Sequence, residues 1–188
     1  MRSWKTHSRK VVFQPNDGRW LTVEDHSIEL PDGQLIEGWL WLRAPDYVIV
    51  AAFTETGQLL CFRQTKYAVD GVTLAPPGGY IETGEDPLLA AQRELLEETG
   101  YQAPEWNSLG SFVVDGNRGF CTAHLYLARG ARWVQPIDAD DLEEQELLLL
   151  DRKSVQSALD KGKFRAIAWT TAIALALLHV EDSYEPSS

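Results

Sequence analysis

Cysteine is scarce in this chain. Only Cys61 and Cys121 occur, far apart and outside any CxxC spacing, which excludes a disulfide scaffold and a cysteine zinc site. Each sits in an apolar, strand-like run and reads as a buried free thiol. Basic charge is also short. Against 17 Lys and Arg stand 28 Asp and Glu, a net charge of −11, so no basic excess exists to neutralise a nucleic-acid backbone, and nucleic acid is not expected as a partner. Long apolar runs are missing too. Residues 1–10 carry Arg2, Lys5, Arg9 and Lys10 with no apolar stretch behind them, and the run Ala166–Val180 is too short to span a bilayer. No membrane partner is expected, and a cytoplasmic location is.

What is present is ordinary globular material, 44% hydrophobic and 24% charged over 188 residues. That length suffices for one domain with a sizeable core, with or without a small appendage. The first 45 residues look like a small β unit. Trp20–Val23, His26–Leu30 and Gln34–Arg43 are strand-like, with Pro31-Asp32-Gly33 as a turn between the last two. Tyr47–Phe53 is a short continuous apolar run, as a buried strand requires, and Gln58–Gln64 follows across a Thr56-Gly57 turn. Leu74–Gly79 reads as a rigid loop and Glu85–Thr99 as a helix. Ser111–Val114 and Thr122–Ala128 are strand-like across the turn Asp115–Gly119. An acidic loop, Asp138–Glu146, precedes a short strand, Leu147–Leu150, and the spacing predicts helices over Asp151–Lys161 and Lys163–Val180. This order suggests an α+β or α/β/α sandwich.

The chemistry lies in Gly79–Tyr101. At about 100° per residue, with Glu94 as zero, Glu98 falls at about +40° and Glu97 at about −60°. Ala90 falls inside this arc and leaves room for the preceding loop, while Ala91, Leu95, Leu88, Leu96 and Leu89 form the opposite, apolar face. Like charges at these spacings cost about 0.2–0.5 kcal/mol per pair, and near a helix C-terminus they also oppose the dipole. The arrangement works against stability unless something cationic covers it. Clustered hard oxygens suit Mg²⁺ or Mn²⁺, which hold carboxylates, waters and substrate phosphates. A divalent cation also answers the repulsion between an acidic protein and a polyphosphate. Gly78 and Gly79 let the loop backbone approach, so that a carbonyl can join the shell. The plain alternative is a solvated acidic helix face.

The whole segment matches Gly-x5-Glu-x7-Arg-Glu-U-x-Glu-Glu-x-Gly-U, with U apolar, through Gly79, Glu85, Arg93, Glu94, Leu95, Glu97, Glu98 and Gly100; Tyr101 stands at the last position, where an aliphatic residue is commoner. In this the chain resembles the Nudix hydrolases. The resemblance implies an α/β fold, a Nudix α/β/α sandwich with a mixed sheet. It would comprise an N-terminal β extension over residues 1–45 and a hydrolase domain over 46–188. It implies Glu94, Glu97, Glu98 and the Gly78 carbonyl as metal ligands for Mg²⁺ or Mn²⁺, an ion pair between Arg93 and Glu85, and Gly79 and Gly100 as structural glycines.

Over nearly its whole length the chain is similar to the ADP-ribose and ADP-sugar pyrophosphatase branch. The β-rich extension, Phe62-Arg63-Gln64, Pro77-Gly78-Gly79, the late acidic loop and the closing helices carry that likeness. The branch implies a nucleoside diphosphate substrate and a homodimer that exchanges its extension. It implies catalytic carboxylates at Glu97 and, in the late loop, Glu144, with Glu143 and Glu146 as competitors. Substrate contacts are expected from Arg63, from Trp20 or Trp39 as a base platform, and from Arg118. Three departures point away from ADP-ribose itself: no proline near Asn117, Ala75 in place of a glutamate before the box, and Arg63-Gln64-Thr65-Lys66 in place of Arg-Gln-aromatic-Arg. A non-catalytic nucleotide-binding module of the same family would typically have lost box carboxylates, and all are present.

Overall fold

The computed structural model describes residues 1–137 and 144–181, with side chains as far as 179. The chain falls into two compact units. Unit 1 holds Met1–Asp46 and Phe112–Ala123; unit 2 holds Tyr47–Ser111 and the chain from His124 onward.

In unit 1, three strands form an antiparallel meander: β1 (Lys5–Phe13), β2 (Thr22–Glu29) and β3 (Leu35–Arg43). The Pro31-Asp32-Gly33 turn closes as expected. Gly33 takes φ +93° and its amide donates to the Leu30 carbonyl, and the Asp32 carboxylate accepts the Gln34 amide. Strand β1 carries no apolar face for periodicity to detect; all nine of its residues are exposed, and backbone pairing with β2 holds it. The expected pair Trp20–Val23 and His26–Leu30 is one strand. The charged residues that seemed to divide it behave differently in the fold: Glu24 is buried, its carboxylate bound to His26 Nε2 at 2.8 Å and Arg43 Nε at 3.0 Å. The end of β3 runs parallel to the start of β9 (Gly119–Trp133), with Leu42 opposite Gly119.

Unit 2 is built on β4 (Tyr47–Thr54), β5 (Leu59–Lys66), β6 (Val69–Ala75) and the later part of β9, with β10 (Gln145–Leu150) antiparallel to β5. Short β7 (Tyr101–Gln102) and the strand β8 (Glu105–Asp115) both pair with β9. Because β3 meets β9 in parallel and the other registered pairs are antiparallel, the sheet is mixed. Residues 48–53 are all buried, so both faces of β4 are covered. Val48, Val50 and Ala52 share one face and pack with Leu60, Ala90, Ala91 and Leu95, bringing in helix α1 (Pro87–Thr99). Alternation leaves Ile49, Ala51 and Phe53 on the other face. Helix α3 (Ile167–Glu181) also packs on β4, and α2 (Arg152–Asp160) on α3. Burial of each such aliphatic side chain stabilises by about 1.5–3 kcal/mol.

Two expectations shift here. Leu89, placed on the apolar face, is exposed, while Ala90 is fully buried in a core against which Ile81 of the preceding loop packs. Val69–Ala75 is strand rather than the approach to a loop, registered on β5 with Phe62 opposite Ala75. Cys61 and Cys121 are buried and free, and burial pushes the Cys61 thiol up to about 12. No helix among the described residues is long and apolar enough to cross a membrane.

Candidate active site

Helix α1 is set by its ends. The Asp86 carboxylate caps it by accepting the Leu88 amide at 2.8 Å and the Leu89 amide at 3.3 Å, and Pro87 occupies the first turn, where no amide is needed. At the other end Gly100 takes φ +74° and its amide returns to the Leu96 carbonyl. Any Cβ there would run into the Gln135 carbonyl. Within these limits Glu94, Glu97 and Glu98 share a helix face.

The loop before α1 is pinned to β4 by alternate hydrogen bonds. The Pro77 carbonyl accepts the Val50 amide at 2.8 Å and the Gly79 carbonyl accepts the Val48 amide at 2.9 Å. Strand-like alternation turns the carbonyl of the intervening Gly78 to the opposite side. The Gly78 amide donates to Glu98 Oε2 at 2.8 Å. A Cβ on Gly79 would meet the Glu94 carboxylate, so glycine here lets the loop approach without displacing that side chain.

Arg93 ties the pieces together. Its guanidinium grips Glu85 with two bonds, Nε to Oε1 at 2.9 Å and Nη2 to Oε2 at 3.0 Å, and Nη2 also donates to the Tyr80 carbonyl at 3.1 Å. Its Nη1 donates to Glu94 Oε1 at 2.7 Å and Glu97 Oε2 at 3.1 Å. The expected ion pair is therefore part of a larger knot: Arg93 serves two of the three clustered carboxylates as well as Glu85. Among the described residues no three His, Cys, Asp or Glu side chains stand together as a metal-binding group. Arg93 draws Glu94 and Glu97 towards itself, while Glu98 turns to Gly78.

The two carboxylates that Arg93 holds most closely differ in electrostatics. The Arg93 hydrogen bond keeps Glu85 below the usual carboxylate range. Burial pushes Glu94 above it, outweighing the hydrogen bond from Arg93. The oxygens of these glutamates and of the loop backbone are hard donors of the type Mg²⁺ and Mn²⁺ take, although Arg93 and the Gly78 amide hold the three carboxylates apart.

The other sequence-named residues gather in two groups. In unit 2, Arg63 lies opposite Glu146 in the β5–β10 register and pairs with it at 2.7 Å. The two share an open surface depression with exposed Glu144 and with Gln145. Glu143 lies outside the described residues. In unit 1, the Arg118 guanidinium lies 4.9 Å from the centre of the Trp39 ring. Trp39 also meets Trp4 edge-on at 5.5 Å and donates its Nε1–H to the Asn117 carbonyl. Trp20 is exposed, with Arg19 over its ring.

Sequence reasoning missed one feature of unit 2. A cleft of about 320 Å³ is walled by the box loop, Tyr47, Lys66 and the start of α3, including Trp169. Tyr80 alone carried a signal, standing directly after the glycine pair; Trp169, in an alanine-rich helix, reads as core.

With this geometry in hand, the comparisons are informative. The family described as NUDIX domain matches residues 43–182. The chain is 30% identical over 180 residues to the methanol dehydrogenase activator of Bacillus methanolicus, covering 95% of this chain and 94% of that one. It is 31% identical over 173 residues to the CMP-5'-(N-acetyl-N-hydroxy-3-aminopropyl)phosphonate hydrolase of Streptomyces rubellomurinus, covering 92% and 80%. It is 25% identical over 182 residues to the ADP-ribose pyrophosphatase of Bacillus subtilis, covering 96% and 95%. A solved structure described as an ADP compounds hydrolase shares the fold, with a TM-score of 0.80 and 17% identity over 97% of both chains.

Proposed function

Because the chain belongs to the Nudix hydrolase family and is a pyrophosphohydrolase, we propose that it hydrolyses a nucleoside diphosphate linked to a sugar. The substrate is of the ADP-ribose or ADP-sugar type, and the products are a nucleoside monophosphate and a sugar phosphate. The observation that carries this reading is the approach of the Gly78-Gly79 backbone to Glu98 and Glu94 on the side of α1 that also carries Glu97. These carboxylates, with the Gly78 carbonyl, would hold Mg²⁺ or Mn²⁺, which when bound would neutralise the diphosphate and lower the pKa of the attacking water.

Arg93 restrains Glu94 and Glu97 and, through Glu85 and the Tyr80 carbonyl, keeps the loop against the helix. Gly79 and Gly100 are structural. Glu144, with Glu143 and Glu146 as competitors, is the carboxylate that accepts the proton of the attacking water, and Glu97, the more exposed of the two glutamates that Arg93 holds on this face, acts in catalysis as a metal ligand. Arg63 and Arg118 contact substrate phosphate or sugar, and Trp20 or Trp39 serves as a base platform. The working form is a cytoplasmic homodimer in which residues 1–45 form an extension domain to the hydrolase domain 46–188.

A second reading, favoured by the likeness to a hydrolase of a CMP-linked phosphonate, places a cytidylyl group in the substrate. Turnover of ADP-ribose, ADP-glucose, UDP-glucose, GDP-mannose, NADH, a dinucleoside polyphosphate and a CMP-linked phosphonate with Mg²⁺ or Mn²⁺ tests both. Metal-dependent cleavage of a nucleotide sugar, lost in Glu98→Gln, is the expected result. Cleavage of the CMP-linked compound alone favours the second reading, and failure on every compound sinks both.

A further inference from the structure

The cleft in unit 2 shares its wall with the box. Gly78 and Gly79 line it, and the same two residues touch the carboxylates, Gly78 through its amide on Glu98 and Gly79 by direct approach to Glu94. Beyond them, Tyr47 and Tyr80 form an antiparallel bridge. Directly opposed residues project to the same face with their Cβ atoms about 4.5–5.5 Å apart, so both tyrosine side chains start from the same side of this bridge, and both line the cleft. Trp169 adds an indole from the first turn of α3, and Lys66 a cation.

The chemistry of this wall is selective. Sugar hydroxyls are commonly held by carboxylates and carboxamides. Among the described residues the side chains of this cleft are aromatic rings, aliphatic groups, phenol hydroxyls and one ammonium. Planar heteroaromatic rings stack on such surfaces whatever their identity. Trp39, by contrast, is already packed by Trp4 and Arg118 in unit 1. We propose that the nucleobase of the substrate stacks in this cleft of unit 2, on Tyr80 and Trp169, so that its phosphates reach the box carboxylates across the two-glycine loop. Tyr80 and Trp169 are then base-stacking residues, and the sugar end of the substrate lies outside the cleft. This rests on the hydrolase reading above and takes the place of the Trp20 or Trp39 base platform named there.

Product binding tests the proposal without turnover. Calorimetric titration of AMP, CMP, GMP and UMP, and separately of ribose 5-phosphate, is made with Mg²⁺ on wild type, Trp169→Leu, Trp169→Phe and Tyr80→Leu. At least one nucleoside monophosphate binds, and its affinity falls about ten-fold in Trp169→Leu and in Tyr80→Leu. Trp169→Phe restores most of it, and ribose 5-phosphate is unaffected. Circular dichroism checks each fold, and Tyr80→Leu carries the test if Trp169→Leu unfolds. The proposal is overturned if no nucleoside monophosphate binds wild type, if the variants bind nucleotide normally, or if ribose 5-phosphate binding falls instead. Failure of the turnover panel with these affinity losses intact would remove the hydrolase reading and leave the base site standing.

Discussion

Each unit of this molecule takes a glutamate out of water and gives it an arginine, with opposite results. In unit 1 the Glu24 carboxylate, bound by His26 and Arg43, lies below the ordinary range because the His26 hydrogen bond, helped by the Arg43 charge, outweighs burial. In unit 2 burial outweighs Arg93, and Glu94 lies above that range. Glu24 is a satisfied charge that ties β2 to β3. Glu94 shares its arginine with Glu85, Glu97 and the Tyr80 carbonyl, and is left undercompensated. Structural networks complete their own charge balance; a site that receives a cation leaves part of that balance open.

The sharpest way to break this contrast is at the box. Glu98→Gln is expected to lower turnover of the cognate substrate by about 100-fold or more, the scale of several kcal/mol of lost charge stabilisation, with an unchanged far-UV spectrum. A variant of near wild-type activity would remove Glu98 from the metal set.

Metal addition separates the units next. Mg²⁺ at about 100 times its dissociation constant adds about 2.7 kcal/mol to stability, read as a rise in melting temperature. Glu94→Gln should abolish most of that rise, whereas Glu24→Gln should leave it intact. Arg93→Lys, which keeps the charge but loses the two-pronged grip on Glu85, should cost about 2 kcal/mol in chemical denaturation and reduce activity as well.

The smallest effects test the signs. A depressed carboxylate stabilises the fold above its unfolded value, about 4.3 for Glu, and this contribution is lost as pH falls through the lower folded value. Glu24→Gln should therefore cost about 1–2 kcal/mol at neutral pH and little in strong acid, where both proteins carry a neutral group. For Glu94 the direction reverses: the raised value favours the neutral form, so in chelator Glu94→Gln should melt slightly higher than wild type at neutral pH. Melting curves of the two variants from acid to neutral pH, moving the same way, would undo the contrast.

Much of unit 2 was readable because its signals are local. The continuous run from Tyr47 marked β4, the period of the Glu94 segment marked a helix with an acidic face, and the glycines marked its flanks. Unit 1 was harder. Strand β1 has no apolar alternation, and β2 carries a buried glutamate that mimics a break. The exposure of Leu89 differed from the helical wheel because the elements packed on a helix, rather than the angle alone, decide which edge of it is covered. The cleft lined by Tyr47, Tyr80 and Trp169 was not legible, since no local pattern ties these residues to one another.

By itself the sequence determined that three carboxylates share one side of a capped helix behind two glycines, because helical geometry and backbone sterics act over a few residues. Only the tertiary structure decided how deeply Glu94 is buried against Gly79, how many acceptors Arg93 must serve, and which rings line the adjoining cleft. Burial and partnership depend on strands and loops brought together from distant parts of the chain, and there is no period in the sequence from which to read them.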